Sequence, residues 1–197
     1  MKLADVDLNK LYTYADYFNW KFEERVELIK GKIFKMSPAP NQYHQIIVGK
    51  IYLELGVFLR KKPCKVFVAP FDVRLPCKSN NDEDIITVLL PDICVVCDKT
   101  KLADIRGCLG APDIVVEVLS PANSRKELKN KYDVYEEAGV KEYWVVFPQE
   151  QTMLIYTLVN HSFVSSRLMV SGDVVTSASL PGFVMNLSIF LVTTSRL

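Results

Sequence analysis

A carboxylate inside an apolar strand needs a partner. Glu117 is such a carboxylate, set within Ile114-Val115-Val116-Glu117-Val118-Leu119, where an unpaired buried charge is strongly unfavourable. A second acid, Asp92, follows Pro91 and opens the apolar run Ile93-Cys94-Val95-Val96. Further on, Glu127, Lys131 and Tyr135 recur every fourth residue and share one helical ridge, beside the stripe of Leu128, Tyr132 and Ala138. A helix packed on the Glu117 strand can therefore aim Lys131 back at that acid. Two acids on neighbouring strands and a nearby ammonium suit metal-assisted phosphodiester hydrolysis. The oxygens hold a hard divalent cation, the cation lowers the pKa of its water, and the lysine positions that water or offsets phosphate charge. Plainer readings stand beside this one. Asp92 can be a turn residue, Glu117 the partner of some other cation, and Glu127–Lys131 an exposed pair worth about 0.2–0.5 kcal/mol. An exposed Lys131 predicts that its truncation costs stability less than about 1 kcal/mol.

These residues require a sheet with helices against it. Ile93 to Cys97 and Asp113 to Leu119 are near-continuous apolar runs, as expected of strands buried on both faces at the centre of a mixed sheet. A helix follows from Ser124 to Ala138, with Gly139 placed for a left-handed cap. Upstream, Asp7 is the expected cap of an amphipathic helix reaching Phe18. Arg25 to Ile29 and Ile33 to Met36 form a candidate hairpin through Lys30-Gly31, closed by Ser37-Pro38-Ala39-Pro40. After Asn41, Ile47, Ile51, Leu55 and Phe58 mark a helix to about Leu59. Further strands are expected at Lys65 to Ala69, Phe71 to Leu75, Tyr143 to Phe147, Met153 to Val159 and Phe163 to Val170, and Leu180 begins a closing segment. The expectation is one α/β domain over residues 1–197, with a central mixed β-sheet flanked by helices.

With 49% apolar and 24% charged residues the composition is globular. Lys and Arg number 24 against 23 Asp and Glu, so any polyanion site must be local rather than a property of the whole molecule. Two basic groups qualify: Arg60, Lys61, Lys62 and Lys65, and Arg125, Lys126, Lys129 and Lys131. The second stands at a helix start that adds its own positive potential. Asp5 and Asp7 interrupt the N-terminus where an export signal needs an apolar core, and no apolar run reaches the length of a membrane span. Five cysteines in no scaffold pattern predict reduced thiols and a cytoplasmic location. Cys94-x-x-Cys97 lacks a matching second pair, and strand alternation puts its thiols on opposite faces, against zinc. Tyr143 and Trp144 are expected in the core.

A wider set of motifs runs along the chain. It comprises Arg25-Val26-Glu27-Leu28-Ile29-Lys30-Gly31, Met36-Ser37-Pro38, His44, Pro91-Asp92, Val116-Glu117-Val118-Leu119-Ser120-Pro121, Lys131, Tyr135 and Ala138-Gly139-Val140-Lys141-Glu142-Tyr143-Trp144. In this order and spacing it resembles the Uma-two family of bacterial restriction-endonuclease-like proteins, in the PD-(D/E)xK superfamily, over nearly the whole chain. The resemblance implies a Mg²⁺- or Mn²⁺-dependent endonuclease, with DNA as partner, no membrane and room for a homodimer. Asp92, Glu117 and the carbonyl of Val118 would hold the metal, and Lys131 would be the superfamily lysine moved onto the helix. Glu27 matches an acid supplied by the N-terminal part, and His44 and Tyr135 match polar positions by the cleft. Two departures stand out: Leu119 occupies the parent lysine position, and Glu127 stands where the family more often has Asp. A nuclease-derived binding module without cleavage, and a hydrolase of a smaller phosphate ester, remain the alternatives. Taken alone, Glu27 also reads as a surface residue paired with Arg25 or Lys30, and His44 as a helix-start residue that caps or packs.

Overall fold

The computed structural model describes residues 3, 6–36, 41–120 and 125–190, with the backbone alone at 125 and 126. The expected hairpin end at Ser37 to Pro40, Pro121, the helix start at Ser124 and the side chains of Arg125 and Lys126 lie outside the described residues. In chain order the elements are α1 (Tyr14–Asn19), β1 (Val26–Ile29), β2 (Lys32–Lys35), α2 (Gln42–Leu59), β3 (Lys65–Val68), β4 (Val73–Arg74), β5 (Val88–Leu89), β6 (Ile93–Val96) and β7 (Cys108–Leu109). There follow β8 (Ile114–Val118), α3 (Arg125–Ala138), β9 (Glu142–Phe147), β10 (Thr152–Val159), β11 (Ser162–Ser165), β12 (Met169–Val170), β13 (Val174–Thr176) and β14 (Val184–Asn186).

The larger sheet has the order β11-β10-β9-β8-β6-β3, with β12 also on β10. It is mixed, because β8 and β9 run parallel while β6 pairs with β8 antiparallel. Its central strands are covered on both sides, which explains their unbroken apolar runs. On one face Ile93, Val95, Ile114 and Val116 pack with Ile47, Ile51 and Leu55 of α2. On the other, Cys94, Val96, Val115 and Tyr143 pack with Val134 and Tyr135 of α3. Residues two apart on a strand share a face, so Glu117 follows Val115 toward α3. The central mixed sheet with flanking helices is thus as expected.

A second sheet, β2-β1-β5-β4-β7, was not separable from the first by pattern. The expected strand Phe71 to Leu75 contributes its middle to this sheet as β4, while β3 stays in the large one. The expected run Phe163 to Val170 is broken into β11 and β12, both laid on β10.

The first helix is shorter than the apolar spacing implies. Asp7 accepts from the Asn9 amide at 2.9 Å and so closes a local turn instead of capping a helix. Thr13 is the N-cap, in a reciprocal box with Asp16. The helix is then fastened to the second sheet: the Tyr14 ring lies under the buried Arg74 guanidinium at 4.9 Å, and Arg74 Nη1 reaches Asp104 Oδ2 at 2.9 Å. Tyr17 donates its hydroxyl to Asp72 at 3.3 Å. At the other end of the chain, buried Glu142 accepts from Trp144 Nε1 at 2.8 Å and from Ser177 Oγ at 2.8 Å, pinning the C-terminal segment to β9.

The expectation of five reduced thiols is corrected. Cys64 and Cys97 are joined in a disulfide, which their positions beside the paired strands β3 and β6 permit, while Cys77, Cys94 and Cys108 are free. Cys94 packs on the α3 face and Cys97 against the α2 face. Among the described residues no helix is long and apolar enough to cross a membrane.

Candidate active site

Where the two sheets meet, a cleft of about 660 Å³ is lined by His44, Asp92, Glu117, Val118 and Lys131, among others. The antiparallel register pairs Ile93 with Val116, so Asp92 and Glu117 are the next residues across the same ladder. Asp92 Oδ2 accepts from the Val118 amide at 2.8 Å, which fixes its carboxylate at the end of β8. Opposed side chains on adjacent strands stand about 4.5–5.5 Å apart at Cβ. The two acids therefore face one space.

Lys131 bridges the sheets. Its ammonium lies 2.9 Å from Glu117 Oε1 and 3.1 Å from Glu27 Oε1, with all three side chains buried. Tyr135, one turn along α3, donates to the same Glu117 oxygen at 2.9 Å. The ridge read from the sequence thus delivers both side chains to Glu117, and the plain Glu127–Lys131 surface pair gives way to a buried one. Glu127 lines the cleft. Lys129, two residues away, is exposed and pairs with Asp133 at 2.8 Å. Truncation of Lys131 is accordingly no longer a sub-kilocalorie change, because it would leave two buried carboxylates without their cation.

Glu27 is likewise not the surface residue that its neighbours Arg25 and Lys30 allowed. It is 2% exposed, and its Oε1 also accepts from the Leu90 amide at 2.9 Å. His44 sits in the first turn of α2, its amide capped by Asn41 at 2.8 Å, and its Nε2 lies 3.3 Å from Asp92 Oδ2. The side chain therefore packs and also orients an acid. Its buried Nδ1 has no hydrogen-bond partner among the described residues.

Glu27 and Glu117 flank Lys131, and Asp92 stands beside them against His44. Burial is the leading influence on the titration of Glu117, Lys131 and His44. Burial pushes Glu117 from 4.5 up to about 7; Lys131 opposes this, and the charges of Asp92 and Glu27 add to it. Burial also disfavours the Lys131 ammonium, but Glu117 and Glu27 together outweigh it and hold its pKa well above the ordinary lysine value. Burial lowers His44 while Asp92 raises it further, leaving it above its ordinary value. The tyrosine hydroxyl of Tyr135 is driven up by burial and by Glu117 and stays a donor.

Asp92 and Glu117 line the cleft and bring carboxylate oxygens to it, with the main chain of Val118 beside them. Among the described residues no group of three or more His, Cys, Asp or Glu side chains could hold a metal. Two carboxylates suffice for Mg²⁺, which keeps several waters and completes its shell with substrate phosphate. The set therefore fits a hard divalent ion that shares its shell with solvent and substrate, and offers no thiolate to a soft one.

The basic groups divide. Arg60, Lys61, Lys62 and Lys65 are exposed, but Arg60 lies sixteen residues along α2 from His44, roughly 24 Å at helical rise, and the group does not line the cleft. Of the second group only Lys131 does so among the described side chains. Sequence reasoning missed three contributors: Leu90, whose amide holds Glu27, and Glu24 and Lys35 on the rim. Leu90 could have been found from its place two residues before Asp92, on the extended approach to the same cleft.

Comparison with known proteins adds the following. Residues 14–188 match the family model Uma2, described as "Putative restriction endonuclease". A solved structure, the crystal structure of "a putative nuclease belonging to DUF820" from Anabaena variabilis ATCC 29413, superposes with a TM-score of 0.67 at 19% identity, covering 91% of this chain and 97% of that one. A search of curated proteins gave no match.

Proposed function

The chain belongs to the Uma2 family, and from that premise we propose that it is a divalent-metal-dependent endonuclease, one domain over residues 1–197, hydrolysing phosphodiester bonds of DNA. The observation that carries this reading is the Lys131 ammonium lodged between Glu27 and Glu117 in the cleft that Asp92 closes from the neighbouring strand.

Asp92, Glu117 and the Val118 carbonyl would hold Mg²⁺ or Mn²⁺, which when bound supplies an activated water and charge neutralisation at phosphate. The remaining work falls to the protein. Lys131 has three N–H donors, and two are directed at Glu27 and Glu117. The third is left for the attacking water or a non-bridging phosphate oxygen, where a preorganised cation is worth most in the transition state. Glu27 and Tyr135 hold that geometry and are positioning residues. His44 and the Val118 amide grip the same Asp92 oxygen, leaving the other for the cleft. Leu119 stands where the parent motif has lysine, and Lys131 reaches the acid from the helix instead. The reading places the protein with nucleic acid rather than at a membrane.

Incubation with plasmid and with single-stranded DNA under Mg²⁺ or Mn²⁺ tests the proposal, and metal-dependent cleavage is the expected result. Retained binding without cleavage of any nucleic acid would transfer the reading to a non-catalytic binding module.

Metal uptake carries its own pH signature. Because Glu117 is raised in the folded protein, the native state keeps a proton that the unfolded chain loses between about pH 4.5 and 7. That contribution to stability is present at low pH and fades as pH climbs through 7. A cation must displace the same proton. Mg²⁺ affinity measured by calorimetry is expected to weaken about tenfold per pH unit below 7, with Glu117→Gln flattening the profile. A wild-type profile flat from pH 5 to 8 would exclude Glu117 as a ligand.

A further inference from the structure

Beside the cleft lies a smaller cavity of about 250 Å³, walled by four aromatic side chains, Tyr17, Phe18, Trp20 and Phe22. It shares Glu24, Arg25 and Leu90 with the cleft itself, so the two spaces adjoin across a common wall. Leu90 is two residues from Asp92, about 7 Å along extended chain. The Trp20 ring stands 6.0 Å from Tyr17 and 5.0 Å from Phe22, and Phe18 is 56% exposed. Tyr17 is held in place from behind by its hydrogen bond to Asp72. The platform is therefore anchored on one side and open on the other.

Its charge identifies the occupant. Glu24 and Arg25 are the two charged residues of the wall and cancel, while Lys35, which pairs with Glu24 at 3.4 Å, lines the cleft and not this cavity. Such a wall lacks the cation excess that a phosphate requires, whereas aromatic faces stack with the neutral π-surface of any base. The volume exceeds the roughly 150 Å³ that accommodates a single benzene ring. We propose that this pocket is a base-binding subsite, taking one unpaired nucleobase of the strand whose phosphodiester lies in the cleft. The proposal rests on the nuclease reading and adds a preference for single-stranded or locally unpaired substrate.

Fluorescence titration in EDTA tests it without cleavage. Trp144 is fully buried, so the indole that a ligand can reach is Trp20. The probes are a ten-nucleotide oligothymidylate, an abasic chain of equal length and charge, and a duplex of that length. Oligothymidylate is expected to quench Trp20 emission and to bind about tenfold more tightly than the abasic chain or the duplex. Phe18→Ala, a change at an exposed residue, is expected to lower oligothymidylate affinity about tenfold while leaving abasic affinity unchanged. Trp20→Phe should abolish the quench. Equal affinity for the abasic chain, or binding without quenching, would overturn the subsite. If plasmid cleavage persists in that case, only the subsite falls. A protein that neither binds nor cleaves any of these chains overturns both the subsite and the nuclease reading.

Discussion

Truncation of Lys131 to alanine is expected to lower the free energy of unfolding by about 3–5 kcal/mol and to reduce metal-dependent DNA cleavage at least about a hundredfold. The first effect arises because Glu27 and Glu117 would be left buried and facing each other with no cation between them. The second arises because no other described lysine side chain reaches Glu117. Chemical denaturation and cleavage assays on one preparation measure the two effects together. Lys129→Ala is the control: its ammonium is exposed on Asp133, and its loss should cost under about 1 kcal/mol with activity kept. Stability and catalysis can then be separated with the double variant Glu27→Gln, Lys131→Met, which removes one surplus charge along with the ammonium. That protein is expected to regain much of the lost stability but not the activity. Recovery of cleavage in the double variant would reduce Lys131 to a structural role.

Asp92→Asn is expected to behave in the opposite way. The amide oxygen of asparagine can still accept from the Val118 amide, so the local fold should hold to within about 1 kcal/mol. The anionic oxygen facing the cleft is lost, and with it the hard donor that a magnesium ion needs. Cleavage should fall about a thousandfold or more, and calorimetry should show Mg²⁺ uptake weakened in step. In the double variant Asp92→Asn, Glu117→Gln uptake should vanish. Uptake equal to wild type in that variant would sink the assignment of both acids.

Local pattern was enough for the parts of the molecule that are locally determined. Asn41 announces α2 by capping it, and Ile47, Ile51 and Leu55 show which stripe it buries. The apolar runs around Asp92 and Glu117 mark β6 and β8 as central because both of their faces are covered. The i, i+4 spacing of Lys131 and Tyr135 is sufficient to bring both to one acid. What stayed hidden depends on distant chain. Strands β5 and β7 have two residues each, too few for any periodicity, and they exist because β1 and β4 pair with them. The division into two sheets is a long-range choice, made between β3 and β4, that no window of sequence contains. The burial of Glu27 follows from that division: a short charged hairpin strand looks like surface until β5 and the Leu90 amide cover it. At Asp7 the failure was local, since a side chain able to cap a helix is equally able to close a turn.

Of the acids Glu27, Asp92 and Glu117, two are gripped by main chain: Leu90 donates its amide to Glu27, and Val118 donates its amide to Asp92. The charge state of the cleft is therefore written into two backbone N–H groups. In a nitrogen-15-labelled sample these amides are resident reporters, whose chemical shifts should move as the neighbouring carboxylates titrate or take up a cation. Their rates of exchange with deuterium should rise together if the junction between the sheets opens. The integrity of the site could thus be followed with no substrate present.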